Sequence, residues 1–257
     1  MAAFYPLAYA AERVGGTAVD VHNLTPSGAE PHDLELTPRA VADIQRADAV
    51  LYLSHGFQPA VSDAVRGAKG KALDVLAGLP LHSAHGQEQG LTADPHVWLD
   101  PLLYSRIVMQ IGGILHGGAR TTALISQLHG LDGEYRSGLA HCRRREIVTS
   151  HAAFGYLAQR YRLRQVPITG LTPESEPSAQ QLASVVRLVR RTHATTVFFE
   201  RLVSPRLADT VAREVGAKTA VLDPIEGLTP SEQSRGDTYF TLMRQNLAAL
   251  RRALGCR

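Results

Sequence analysis

An α/β fold of two lobes, each with a mainly parallel sheet flanked by helices, is predicted by three observations. Short β-branched runs alternate with helical patterns toward both ends of the chain. Between Leu102 and about Ala140 the strand signal vanishes and apolar residues recur at helical spacing. The strand candidates are largely apolar, as strands covered on both faces are. With 257 residues, 44% hydrophobic and 20% charged, the chain can bury a sizeable core and is too apolar to be disordered.

In chain order, the strand candidates are Thr17 to Val21, Ala49 to Leu53 and Lys71 to Val75, then Glu146 to Thr149, Arg164 to Ile168, Thr195 to Phe199 and Lys218 to Leu222. Helix starts are readable between them. Thr37 is an N-cap with Pro38 at the first helical position, and a second helix opens near Gln58-Pro59. Ser178 precedes an amphipathic stretch to about His193, and Ser204-Pro205 opens a fourth helix. The middle section carries Leu103, Ile107, Ile111 and Leu115, then Leu124, Leu128, Leu131 and Tyr135. The chain therefore divides into an N-terminal lobe over 1–101, a connecting helix over 102–141 and a C-terminal lobe over 142–257. Gly112-Gly113 and Gly117-Gly118 interrupt the connector; an interior glycine costs about 1 kcal/mol relative to alanine, so a break near 112–118 is expected. Gly78 to Asp94, rich in Gly, Ser, His and Gln, reads as a loop.

Several function classes drop out. The 27 Lys and Arg against 24 acidic residues leave a formal charge of +3, and the longest basic run is Arg143-Arg144-Arg145, too little for a nucleic-acid footprint. No apolar run reaches the roughly 18 to 20 residues of a bilayer span, and Met1-Ala-Ala-Phe-Tyr-Pro-Leu lacks the pattern of a signal segment. Cys142 and Cys256 form no CxxC motif.

Ligands of open α/β sheets bind beyond the carboxyl ends of strands. Four polar side chains follow predicted strands or sit on stiff loops. His32 lies in Pro26-Ser-Gly-Ala-Glu-Pro-His-Asp33, and His96 lies between prolines in Asp94-Pro-His-Val-Trp-Leu-Asp-Pro101. His151 follows the strand Glu146 to Thr149, and Asp223 follows Lys218 to Leu222. Three imidazoles and a carboxylate suit the first shell of zinc. Singly, each also reads as a structural residue: a loop histidine bonded to backbone, a helix N-terminal histidine, a turn former before proline.

Together these strings resemble the four signatures of the metal-specific solute-binding proteins of ABC importers, the zinc and manganese group that includes the periplasmic zinc-binding ZnuA-like proteins. Gly28-Ala-Glu-Pro-His-Asp33 followed by Thr37-Pro38 is similar to the first, and Asp94 to Pro101 to the second. Thr149-Ser-His-Ala-Ala-Phe-Gly-Tyr156 is similar to the third, and Leu222-Asp-Pro-Ile-Glu-Gly-Leu228 to the fourth; Pro173 to Ser178 and Phe198-Phe-Glu200 match as well. The resemblance covers Phe4 to about Leu254 in the right order. It implies a metal site in the cleft between the lobes with His32, His96, His151 and Asp223 as ligands. It also implies an extracytoplasmic monomer that delivers Zn²⁺ to a membrane permease.

Manganese members of the group carry glutamate where His151 stands, and three nitrogens with one carboxylate favour Zn²⁺ over the harder Mn²⁺. His82 and His85 lie where zinc members carry a longer His-rich insertion, and are candidates for an auxiliary site or for solvated loop residues. His55 is a candidate to orient a ligand by hydrogen bonding, or to cap the helix that begins near Gln58. Glu176 and Glu200 match family positions and are expected to hydrogen-bond, including to a ligand's second ring nitrogen. Trp98 is expected to pack under the His96 loop.

The resemblance further implies a Cys142 to Cys256 disulfide, whereas a cytosolic chain would keep both thiols reduced. Members of the group normally begin with a signal segment, which this sequence lacks, and carry an unbroken helix between lobes. A zinc hydrolase is the least expected alternative: the four ligands close the tetrahedron, and neither HExxH nor GxSxG is present. A metal-dependent adhesin is a further alternative from the same group.

Overall fold

The computed structural model describes residues 1–84, 90–173 and 178–257. It divides into two compact units, Met1–Asp132 with Ile225–Tyr239 and Gly133–Pro224 with Phe240–Arg257. The chain changes unit inside a helix at 132/133, and the segment 225–239 returns to the first unit.

In the first unit, α1 (Tyr5–Gly15) is followed by α2 (Pro38–Arg46), β1 (Ala49–Tyr52), α3 (Pro59–Val65) and β2 (Lys71–Asp74). The two strands pair in parallel, Ala49 opposite Lys71, and Ala2 adds parallel bridges to Leu51 and Asn23. Thr37 caps α2 as expected, its hydroxyl accepting from the Ala40 N–H at 3.2 Å. The expected strand over Thr17 to Val21 does not form. Gly16–Ala18 is a 3-10 turn and the following residues are exposed or half-buried, so no apolar face is available to cover a sheet.

The helices α4 (Pro101–Leu115) and α5 (Ala119–Leu139) are separated by a short break. Asp100 caps α4 through Leu102 and Leu103. The break falls at 116–118, where His116 and Gly118 have φ of 53° and 50°, while Gly112 and Gly113 lie inside α4. Gly112 serves a close approach: a Cβ there would meet Thr121 Oγ1 at 2.4 Å. α4 packs on α1, and Arg120 at the start of α5 donates to the Val14 and Gly15 carbonyls at 2.8 and 3.0 Å. This packing makes α4 and the first half of α5 part of the first unit. They do not stand as a separate connector over 102–141.

The second unit contains β3 (Glu146–Thr149), α6 (Gly155–Arg160), β4 (Arg164–Pro167), α7 (Ala179–Thr192), β5 (Thr196–Phe199), α8 (Arg206–Val215) and β6 (Lys218–Val221). The strands form one parallel sheet in the order β4-β3-β5-β6. Val148, Val166 and Val197 from the sheet pack with Val186, Val189, Val211 and Ala212 from α7 and α8. A capping box of Ser178 and Gln181 starts α7. After β6 a short helix, α9 (Pro230–Arg235), lies in the first unit, and α10 (Tyr239–Leu254), in the second unit from Phe240 on, is the last helix. Cys142 and Cys256, both in the second unit, form a disulfide across a sequence separation of 114. No helix among the described residues is long and apolar enough to cross a membrane.

Candidate metal centre

Three residues of the first unit converge: His32, His96 and Glu226. His32 sits in a 3-10 turn (Pro31–Asp33) whose opening is fixed by Glu30, which accepts from the His32 N–H at 3.2 Å. The buried Gln58 amide ties the same turn to the rest of the unit, donating to the Pro31 carbonyl and to Thr25 Oγ1 at 3.1 Å each. The His32 ring meets Phe57 edge-on at 4.6 Å between centroids.

His96 precedes a second 3-10 turn (Val97–Leu99). Asp94 Oδ1 accepts from both the backbone N–H of His96, at 2.9 Å, and its ring Nδ1, at 2.8 Å. Trp98 lies 5.2 Å from the His96 ring and 4.7 Å from Phe4, under the loop as expected, and Tyr239 holds the Trp98 carbonyl at 2.6 Å.

Glu226 arrives from the opposite end of the chain. Ile225 before it is fully buried with φ of 59°, a conformation that costs a β-branched residue about 1–3 kcal/mol and is retained where the surroundings impose it. Two residues on, the Leu228 carbonyl accepts from Gly28 N–H at 2.9 Å and Ser27 Oγ at 2.7 Å, which locks this segment to the loop leading into His32. The outcome is that Glu226 Oε1 lies 3.0 Å from His96 Nε2 and 3.5 Å from His32 Nε2, with the two rings 5.5 Å apart.

Burial pulls the His96 imidazole down, yet the carboxylates of Asp94 and Glu226 at its two nitrogens outweigh this and hold the ring above the usual histidine range. A carboxylate oxygen facing an imidazole Nε2 calls for a positive charge on the group, and a proton or a metal ion supplies it.

In the second unit His151 is fully buried. Its Nδ1 lies 2.6 Å from Glu200 Oε1, which Ser150 Oγ also contacts. Asp94 and Glu200 thus play one chemical part: each engages Nδ1 of a buried histidine, leaving Nε2 as the nitrogen for a ligand.

Asp223, the expected carboxylate ligand, is placed differently. Arg201 Nη1 donates to its Oδ2 at 3.1 Å, and its main chain is clasped by the Asn246 amide. The acidic residue set against His32 and His96 is Glu226, three positions later in the same string. The signal for Glu226 was present, since Leu222 to Leu228 holds two acids, but spacing does not tell which one a turn delivers. His55 is exposed, with Nδ1 2.7 Å from Thr92 Oγ1. His82 Nδ1 lies 4.0 Å from Asp94 Oδ2, beside the carboxylate that orients His96. His85, Glu88 and Glu176 lie outside the described residues.

With this geometry in view, the comparisons are decisive. Residues 1–253 match the family described as zinc-uptake complex component A, periplasmic. The chain belongs to the ZnuA family. It is 36% identical to the high-affinity zinc uptake system protein ZnuA of Bacillus subtilis, over 98% of this chain and 86% of that protein. Among solved structures it resembles the Zn(II)-bound ZnuA-like domain of Streptococcus pneumoniae AdcA, with a TM-score of 0.82 and 34% identity over 98% of this chain and 97% of that one. It also resembles the laminin-binding protein Lmb of Streptococcus agalactiae, described as having adhesin and metal-transporting activity, with a TM-score of 0.89 and 31% identity over 98% and 97%. The chain spans 54% of the length of the streptococcal zinc-binding AdcA proteins. These likenesses give the ZnuA fold of two α/β lobes and a zinc-uptake family.

Proposed function

We propose that the chain is an extracytoplasmic carrier that captures Zn²⁺ and hands it to the permease of an ABC importer, with His32, His96, His151 and Glu226 as the ligands. The observation that carries this reading is Glu226 Oε1 facing the Nε2 atoms of His96 and His32 inside the protein. Asp94 and Glu200 support it, because a ligating histidine commonly donates its other ring N–H to a carboxylate. Glu226 takes the place of Asp223 in the ligand set because the Asp223 carboxylate is held by Arg201.

Three neutral nitrogens and one carboxylate favour Zn²⁺ over Mn²⁺. The zinc named for the Bacillus subtilis and Streptococcus pneumoniae relatives agrees with that preference. Zinc here is cargo. Four protein ligands leave no coordination position for an activated water, so the chemistry is capture and release without catalysis. Each imidazole must be neutral at its coordinating nitrogen, so protons compete with the ion and binding weakens as pH falls.

The test is elemental analysis of the protein purified without chelator, followed by competition of Zn²⁺ and Mn²⁺ against a chromogenic chelator. One tightly bound zinc per chain, with manganese much weaker, is the expected result. Retention of zinc by a His32→Ala, His96→Ala double variant would overturn the assignment.

A further inference from the structure

The strands of the second unit are all parallel, so their starts share one edge of the sheet. Hydrogen bonds gather helix ends at that edge. Arg144 N–H donates to the Leu254 carbonyl at 3.1 Å and Thr195 Oγ1 to the Ala253 carbonyl at 3.3 Å, which sets the end of α10 beside the segments leading into β3 and β5. Lys218 N–H donates to the Thr195 carbonyl at 3.0 Å, and Arg190 reaches from the end of α7 to the Glu214 carbonyl at the end of α8 at 2.8 Å. His151 follows β3 and so lies at the opposite end of the sheet.

The edge where the strands start is basic. Arg143 precedes β3, Arg191 lies in the last turn of α7, Lys218 opens β6, and Arg251 and Arg252 lie in the last turn of α10. All five are exposed, and among the described residues none of them pairs with an acidic side chain. Glu146 and Glu214, acids at the same end, are already matched by Arg164 at 2.8 Å and Arg190 at 3.7 Å.

A cation near a helix C-terminus is favourable in itself, and that accounts for Arg191, Arg251 and Arg252 one at a time. It does not account for Arg143 and Lys218, which precede strands, or for the charge of the whole unit. The second unit holds 18 of the 27 Lys and Arg but 8 of the 24 acidic residues, and the first unit holds 9 and 16. A modest net charge of +3 conceals a strongly basic unit joined to an acidic one.

Charges spread over the whole end of a unit suit a partner that requires no exact geometric match. A fluid anionic bilayer is such a partner, because its headgroups move laterally and gather beneath each cation. Leu188 adds an apolar contact of the kind a bilayer interface accepts: it is 48% exposed on α7, between the exposed Arg187 and Arg191. The family is described as periplasmic, where bilayer phosphates are at hand.

We propose that this end of the second unit is an adsorption surface for anionic phospholipid bilayers. It is separate from the metal centre, since His151 stands at the other end of β3.

The test is co-sedimentation of the full chain, at low ionic strength, with vesicles of phosphatidylglycerol mixed with phosphatidylcholine and with vesicles of phosphatidylcholine alone. Binding to the mixed vesicles only, released by added salt, is the expected result. Each basic side chain brought to an anionic surface contributes about fivefold to partitioning. An Arg191→Gln, Arg251→Gln, Arg252→Gln variant, which breaks no ion pair, is therefore expected to bind about tenfold or more weakly. An Arg39→Gln, Arg46→Gln, Arg66→Gln variant removes the same charge from α2 and from the end of α3 in the first unit, and should change binding by less than about threefold. Zinc affinity and melting temperature should stay the same in the first variant, which separates loss of the surface from loss of the fold or of the metal site. No sedimentation on the mixed vesicles, equal sedimentation on phosphatidylcholine alone, or equal loss in the two variants overturns the proposal.

Discussion

His96 Nε2 lies 3.0 Å from Glu226 Oε1 while His96 Nδ1 lies 2.8 Å from Asp94 Oδ1, so one buried imidazole is held between two carboxylates more than a hundred residues apart in sequence. Such a surrounding favours a positive charge at the ring, and a second proton or a bound cation supplies it.

Glu226→Gln is therefore expected to lower zinc affinity by more than the roughly 10–100-fold that follows loss of an outer-sphere partner. Asp223→Asn should leave it within that range or untouched. Chelator competition on both variants decides; a larger loss for Asp223→Asn would return the ligand role to Asp223.

The raised His96 value gives metal-free protein a pH dependence of definite sign. The contribution is fully present below the unfolded histidine value of about 6.5 and is lost as pH rises through the higher folded value. The melting temperature of chelator-treated protein should thus fall as pH climbs above neutrality. Asp94→Asn should flatten the profile. In the presence of zinc the trend reverses, because the ion displaces that proton.

Glu200 touches the Nδ1 of His151, not the proposed coordinating nitrogen. Glu200→Gln, which keeps the shape and removes the charge, should reduce zinc affinity by about 10–100-fold with little change in melting temperature. Unchanged affinity would show that Glu200 serves packing alone.

The disulfide closes a long loop whose two ends both lie in the second unit. In the chain-entropy account, replacing both cysteines by serine should cost about 2–5 kcal/mol and lower the melting temperature by several degrees. Calorimetry in oxidising buffer measures it, and zinc stoichiometry should be preserved.

Gly112 and Gly113 are neighbours in α4 with opposite surroundings. A Cβ at Gly112 meets Thr121 at 2.4 Å, whereas one at Gly113 meets nothing within 4 Å. Gly112→Ala should destabilise by about 1–3 kcal/mol and Gly113→Ala should stabilise by about 0.4–1 kcal/mol, both read from chemical denaturation.

Much of this protein is determined locally and is legible in the sequence. Thr37 before Pro38, Ser178 before Gln181 and the apolar runs at Glu146 to Thr149 and Thr196 to Phe199 set the helices and strands, because caps and covered parallel strands depend on near neighbours and a plain apolar pattern. His32, His96 and His151 stand out because prolines and strand ends surround them. Which acid faces the imidazoles was decided only in three dimensions, by the left-handed Ile225 that turns Glu226 toward His32 and His96 while Arg201 and Asn246 hold Asp223. A break within 112–118 and a Glu200 contact to a histidine's second ring nitrogen are legible in the sequence, whereas the part of Asp94 and the passage of 225–239 back to the first unit are equally tertiary. Each depends on what packs against a residue from a distant stretch of chain, and residue order carries no direct record of that contact.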